Sequence, residues 1–131
     1  MKLIIVGASG FVATELISQA LRRPDVTSLV ALSRKPVTAP DGENAAKLKS
    51  VVISDYGEYP DDVKKELAGA NACIWTVLGL VFRLTPFGTL PVQTVAAAML
   101  DQAVTGFEKE HLGIEDLKRI GAKAIEESGK R

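Results

Sequence analysis

The sequence predicts an α/β fold built on a doubly wound parallel sheet, and three observations support this. Four short apolar runs of the kind that form buried strands stand at 3–6, 26–32, 51–53 and 72–78. Amphipathic helical patterns fill the first and third connections, and all the connections are short. Right-handed crossovers between such strands give a sheet of strand order 3-2-1-4.

The helices follow from apolar spacing and from proline and glycine punctuation. The first is predicted from Gly10 to Arg22, with an inward face made of Phe11, Val12, Leu16, Ile17, Ala20 and Leu21. A second starts at Pro60, where two aspartates suit the positive helix end, and stops at Gly69. The fourth strand, 72–78, is predicted to be buried on both faces, including Cys73 and Trp75.

The pattern changes after residue 79. Residues 80–91 carry two prolines and a glycine without a clear period, and helices are predicted near 92–104 and 114–127. We therefore expect one domain over 1–131, with a nucleotide-binding core over 1–79 and an irregular segment plus two C-terminal helices over 80–131.

Composition narrows the class of protein. The 131 residues carry 16 basic and 16 acidic side chains, which disfavours a nucleic-acid or membrane-surface partner. No apolar stretch approaches the ~20 residues that a membrane span needs. Because the first strand starts at the N-terminus, we expect no signal peptide and a cytoplasmic protein. The single cysteine forms no internal disulfide and is predicted to be a buried, inert thiol.

The first strand runs into a glycine turn that suits a phosphate. Gly7 permits the sharp turn, Gly10 allows close approach of backbone N–H groups to a pyrophosphate, and Ala13 allows tight helix–sheet packing. The helix N-terminus adds unpaired N–H groups and partial positive charge, and Ser9 adds a hydroxyl donor. The spacing G-x-x-G-x-x-A in this context predicts a Rossmann-like dinucleotide site. The alternative is a turn that only joins strand to helix.

The end of the second strand indicates which dinucleotide binds. The position reads Ser33-Arg34-Lys35, with no acidic residue to hold a ribose 2′-hydroxyl. A guanidinium, an ammonium and a hydroxyl suit a 2′-phosphate, so NADP is favoured over NAD, although a solvated basic turn is the alternative. Asp55 follows the third strand and either accepts from an adenine amino group or caps a turn.

These residues resemble a known family. The segments IIVGASGFVATELI, LSRKP and ANACIWTV are similar to the atypical short-chain dehydrogenase/reductases, and most of all to fungal NAD(P)-binding, NmrA-like Rossmann-fold proteins. Residues 92–125 resemble the closing segment of the same, longer proteins, as if the middle segment were lacking. The resemblance implies that the pyrophosphate meets Gly7, Ala8, Ser9, Gly10, Phe11 and Val12. It also implies that Arg34 and Lys35 meet the 2′-phosphate, and that Thr76 and Val77 flank the ribose and nicotinamide.

The usual catalytic groups of that family do not stand in this sequence. Short-chain reductases use a Tyr-x-x-x-Lys pair after the fourth strand, but Tyr56 and Tyr59 precede it and are followed four residues later by Pro60 and Val63. The single histidine, His111, is predicted to lie in a surface loop, with no metal site. An NADP-dependent oxidoreductase, a non-enzymatic nucleotide sensor and a truncated gene product therefore all remain open.

The fourth strand also predicts self-association. With no convincing fifth strand, its edge and apolar faces invite a homodimer that buries this edge and the helix over 92–104, whose alanines at 96–98 permit close approach. The alternative is that residues 80–84 fold back and cap the edge within one chain.

Overall fold

A computed structural model describes residues 1–40, 42, 44–76, 91–106 and 114–130. Its elements are β1 (Lys2–Val6), α1 (Phe11–Arg22), β2 (Ser28–Ser33), a 3-10 turn (Ala45–Lys47), β3 (Leu48–Val52), α2 (Asp61–Leu67), β4 (Ala72–Trp75), α3 (Val92–Thr105) and α4 (Ile114–Gly129). The four strands are all parallel and lie in the order β3-β2-β1-β4, which confirms the predicted fold class. Among these helices none is long and apolar enough to span a bilayer.

The two faces of the sheet carry separate hydrophobic clusters. Along β1, Leu3 and Ile5 pack beneath α1, whereas Ile4 and Val6 join Val63 of α2 on the opposite face. The chain steps in one direction from β1 to β3 and then returns past β1 to β4. Right-handed crossovers therefore place α1 and α2 on opposite faces, as observed.

Helix α3 lies on the α1 side of the sheet, since Ala96 and Leu100 belong to the same cluster as Leu3. A helix that led onward from β4 to a fifth parallel strand beyond it would lie on the α2 side. Helix α3 is thus not in the position of such a crossover helix. The α2-facing side of β4 is left with two exposed side chains, Cys73 and Trp75.

Three residues that were predicted to be buried are exposed, namely Phe11, Cys73 and Trp75, so these burial predictions were wrong. Trp75 is 57% exposed and Cys73 is exposed, because the seven-residue helix α2 packs on β1, β2 and β3. Phe11, the first residue of α1, is 73% exposed. The rest of the predicted α1 stripe is buried.

Helix α3 packs against α1 and β4, and helix α4 packs on α3. Predicted helix α4 is confirmed over Ile114–Gly129, and Ile120 is its buried anchor on α3. The alanines at 96–98 are at most 5% exposed within one chain. The prediction that they meet a second copy was therefore wrong, because other parts of the same chain already cover them. Residues 80–84, proposed as an alternative fifth strand, lie outside the described residues.

Candidate functional site

The loop after β1 is held by backbone hydrogen bonds to the end of β2 and within the loop itself. Gly7 has a φ of +75°, which favours glycine. The Leu32 carbonyl at the end of β2 accepts from the amides of Gly7 at 2.9 Å and Ala8 at 3.2 Å. The Gly7 carbonyl accepts from the Gly10 amide at 3.0 Å. The loop is thus a compact turn with a fixed path into α1.

The first turn of α1 leaves backbone donors available. The first helical hydrogen bond runs from the Thr14 amide to the Gly10 carbonyl at 3.0 Å. In the described chain, the amides of Phe11, Val12 and Ala13 donate to no protein group. These N–H groups point out of the helix end, where an anion is favoured. The Val12 side chain is buried, so only its backbone is placed to meet a ligand.

Gly10 keeps this helix end accessible. Its φ of −79° is open to any residue. A Cβ built on Gly10, however, would stand 3.3 Å from the Gly7 carbonyl oxygen, tighter than most such contacts. A side chain at residue 10 would therefore crowd the Gly7 carbonyl, although the backbone conformation suits any residue. Ser9, next to it, is exposed.

The basic turn after β2 lies at the same carboxyl edge of the sheet. Arg34 and Lys35 are exposed, and neither forms an ion pair with another described residue. Ser33 is fully buried and donates its hydroxyl to the Lys35 carbonyl. Its own carbonyl accepts from the Ile53 amide at 3.0 Å. Ser33 therefore shapes the turn from inside, and its hydroxyl does not face outward as the sequence suggested.

Asp55 caps a turn, one of the two roles that the sequence left open. Its Oδ1 accepts from the Gly57 amide at 2.8 Å, and the side chain is exposed. The second carboxylate oxygen remains on the surface after the third strand. The contact with an adenine stays a prediction.

Thr76 is buried directly after β4 and is bound to the loop after β1. Its hydroxyl donates to the carbonyls of Val6 at 2.7 Å and Gly7 at 3.0 Å, and its amide donates to Val6 at 2.9 Å. In the sequence, Thr76 stands out as a polar residue at the end of an apolar strand. The pattern does not show whether its hydroxyl points to a ligand or to the backbone. Val77 lies outside the described residues.

Aromatic side chains border the same edge. Trp75 and Tyr56 have ring centroids 6.5 Å apart at an interplanar angle of 50°. Burial raises the pKa of the neighbouring Cys73 thiol, and a hydrogen bond with Trp75 lowers it in part. The described ranges hold no group of three or more histidine, cysteine or acidic residues that could hold a metal. His111 lies outside those ranges.

Comparison with known proteins gives limited matches. No family model matches the chain. Over 73 residues the chain is 32% identical to "Leucinostatins biosynthesis cluster protein T" of Purpureocillium lilacinum. This alignment covers 56% of the present chain and 26% of that protein. The chain thus spans about a quarter of the length of that relative. A UDP-glucuronic acid 4-epimerase from Bacillus cereus, solved in complex with NAD, aligns over 100% of this chain and 53% of its own, at 17% identity and a TM-score of 0.44.

Proposed function

We propose that this chain binds NADP(H) at the carboxyl edge of its sheet. One observation carries the proposal: unpaired amides at the start of α1 and cations without ion-pair partners after β2 lie at the same sheet edge, in the described part of the chain. Open α/β sheets bind ligands outside the carboxyl ends of their strands, where the strand order reverses. Here that reversal falls between β1 and β4.

Each part of the dinucleotide then has a partner. The pyrophosphate accepts from the amides of Phe11, Val12 and Ala13, with Gly10 allowing the approach, and Ser9 adds a hydroxyl. The side chains of Arg34 and Lys35 hold the 2′-phosphate, and the free carboxylate oxygen of Asp55 accepts from the adenine amino group. The nicotinamide lies towards β4, near 76–77.

The preference for NADP over NAD rests on charge. No acidic side chain stands at 33–35 to accept from a ribose 2′-hydroxyl. Two exposed cations, Arg34 and Lys35, stand there instead, and neither forms an ion pair with another described residue. A guanidinium grips a phosphate through two parallel N–H groups, and charge-assisted bonds of this kind are about twice as strong as neutral ones. NADPH therefore gains a contact that NADH lacks.

Titration calorimetry of the purified chain with NADPH and NADH tests this directly. We expect binding of both, with NADPH about ten- to a hundredfold tighter, as 1.5–3 kcal/mol for a charged contact implies. No binding of either dinucleotide would overturn the proposal. Equal affinities would overturn the NADP preference alone.

We further infer membership of the atypical short-chain reductase group, supported by the segments quoted above. Within that group the chain is an oxidoreductase or a nucleotide sensor, and turnover of NADPH with a panel of carbonyl compounds distinguishes the two. As one domain, with residues 1–79 as its binding core, it would act in the cytoplasm.

Self-association stays part of the proposal in a reduced form. The α2-facing side of β4, with Trp75 57% exposed, is the apolar surface that a second copy would cover. The alanines at 96–98 take no part, because they are buried. Analytical ultracentrifugation at micromolar concentration should give a dimer, and a stable monomer near 14.0 kDa would contradict it.

A further inference from the structure

We propose that Thr76 is a positioning residue that fixes the loop after β1 in its phosphate-binding shape. This inference rests on the proposed dinucleotide function. Thr76 is 8% exposed, and its hydroxyl donates inward, to Val6 and Gly7. Its role is therefore to hold the backbone that meets the cofactor, and not to touch the ribose.

The peptide between Gly7 and Ala8 is held from both sides. Its carbonyl oxygen, on Gly7, accepts from the Thr76 hydroxyl and the Gly10 amide, each at 3.0 Å. Its N–H, on Ala8, donates to Leu32 at 3.2 Å. The end of β4 and the end of β2 thus fix one peptide plane between them.

Fixing that plane determines where the next donors point. The Gly7 carbonyl is occupied by two donors, the Thr76 hydroxyl and the Gly10 amide, which hold it in one orientation. If this carbonyl rotated outward, its negative end would face the pyrophosphate and oppose binding. A preorganised loop avoids both that repulsion and the entropy of ordering the loop on binding.

Removing the hydroxyl should leave the fold intact. In Thr76→Val the Val6 carbonyl keeps the residue 76 amide, and the Gly7 carbonyl keeps the Gly10 amide. No acceptor is orphaned, so the loss in stability is small. The loss of the second donor on Gly7 should weaken NADPH and NADH by the same factor, about three- to tenfold.

The experiment compares three ligands on wild type, Thr76→Val and Thr76→Ser. NADPH and NADH are titrated by calorimetry, and 2′-AMP, which carries no pyrophosphate, by ligand-observed NMR. We expect Thr76→Val to weaken both dinucleotides and to leave 2′-AMP unchanged, and Thr76→Ser to restore wild-type affinity. Should Thr76→Val misfold, Thr76→Ala replaces it in the same titrations.

Unchanged dinucleotide affinity in the variant overturns the inference, and so does an equal loss for 2′-AMP, which indicates general distortion. A lower unfolding temperature with unchanged affinity shows a purely structural threonine and also overturns it. If wild type binds no dinucleotide, the proposed function fails, and this inference fails with it.

Discussion

Gly121 in α4 lies directly against Thr94 in α3, with no space for a side chain between them. A Cβ built on Gly121 would stand 2.2 Å from the Thr94 carbonyl oxygen and 2.6 Å from its Cγ2. Contacts under 3.0 Å do not occur for real Cβ atoms, so the helices approach this closely only because residue 121 is glycine. The buried Ile120 lies beside this crossing.

The first prediction is that Gly121→Ala destabilises the protein. Overpacking costs about 1–3 kcal/mol, which outweighs the gain of up to about 1 kcal/mol from helix propensity. Urea unfolding measures the difference. Gly129→Ala is the matched control in the same helix, because its Cβ meets nothing within 4 Å, and its stability should be equal or slightly higher. A Gly121→Ala protein as stable as wild type would contradict the close crossing.

The second prediction concerns Gly10. Gly10→Val should abolish measurable binding of both NADPH and NADH, because its branched side chain projects where the pyrophosphate would lie. Gly10→Ala should show a smaller loss, of about tenfold. Since a Cβ there is 3.3 Å from the Gly7 oxygen, we also expect a modest fall in stability, which urea unfolding separates from the effect on binding. Wild-type affinity in Gly10→Val would exclude this helix end as the site.

The third prediction tests whether Arg34 binds the 2′-phosphate directly or acts only through the overall charge of the protein. Arg34→Ala should weaken NADPH about ten- to a hundredfold and leave NADH within about twofold, because only NADPH carries the 2′-phosphate. Lys49→Ala removes the same charge from a lysine that is paired with Glu66 at 2.6 Å, and should change neither affinity. An equal loss of both dinucleotides in Arg34→Ala would show that Arg34 acts on the fold or on the shared part of the ligand.

The fourth prediction follows from the exposed thiol. Cys73 should react stoichiometrically with Ellman's reagent in the folded protein, because its side chain reaches solvent. Since burial raises the pKa of this thiol, its thiolate fraction at neutral pH is lower than that of a free cysteine. The reaction should therefore be slower than that of glutathione. Its rate should rise with pH around a midpoint that lies above the ordinary pKa of a free cysteine. Reaction only after denaturation would show a buried thiol.

The sheet order could be predicted from the sequence because each strand is an apolar run with its own punctuation. Alternation along β1 also predicts two buried faces, as Leu3 and Ile4 show. Burial of β4 could not be read in this way. Whether Trp75 is covered depends on the length of α2 and on which face α3 occupies, and neither is encoded in residues 72–78.

The candidate site likewise contains residues that could be predicted from the sequence and residues that could not. Gly7, Gly10 and the basic pair could be placed at the sheet edge because backbone requirements and charge are local properties. The hydroxyls of Ser33 and Thr76 could not be assigned, because each chooses between solvent, ligand and a carbonyl that only the folded chain brings within reach. In the structure both hydroxyls donate to backbone carbonyls.

The last prediction is that this chain alone does not reduce ordinary aldehydes or ketones at an enzymatic rate. A short-chain reductase needs a tyrosine whose phenol exchanges a proton with the substrate, aided by a lysine four residues later. The only two tyrosines, Tyr56 and Tyr59, are half-buried between β3 and α2, against the cluster on the α2 face. Neither tyrosine is followed by a lysine four residues later.

NADPH oxidation, followed at 340 nm with a panel of carbonyl compounds, measures this. We expect rates equal to those of the cofactor without protein, even where calorimetry shows that NADPH is bound. Turnover that persists in a Tyr56→Phe, Tyr59→Phe double variant would contradict the prediction and reveal a different proton donor. Turnover that disappears in that variant would contradict it as well, because it would make a tyrosine without its lysine partner catalytic.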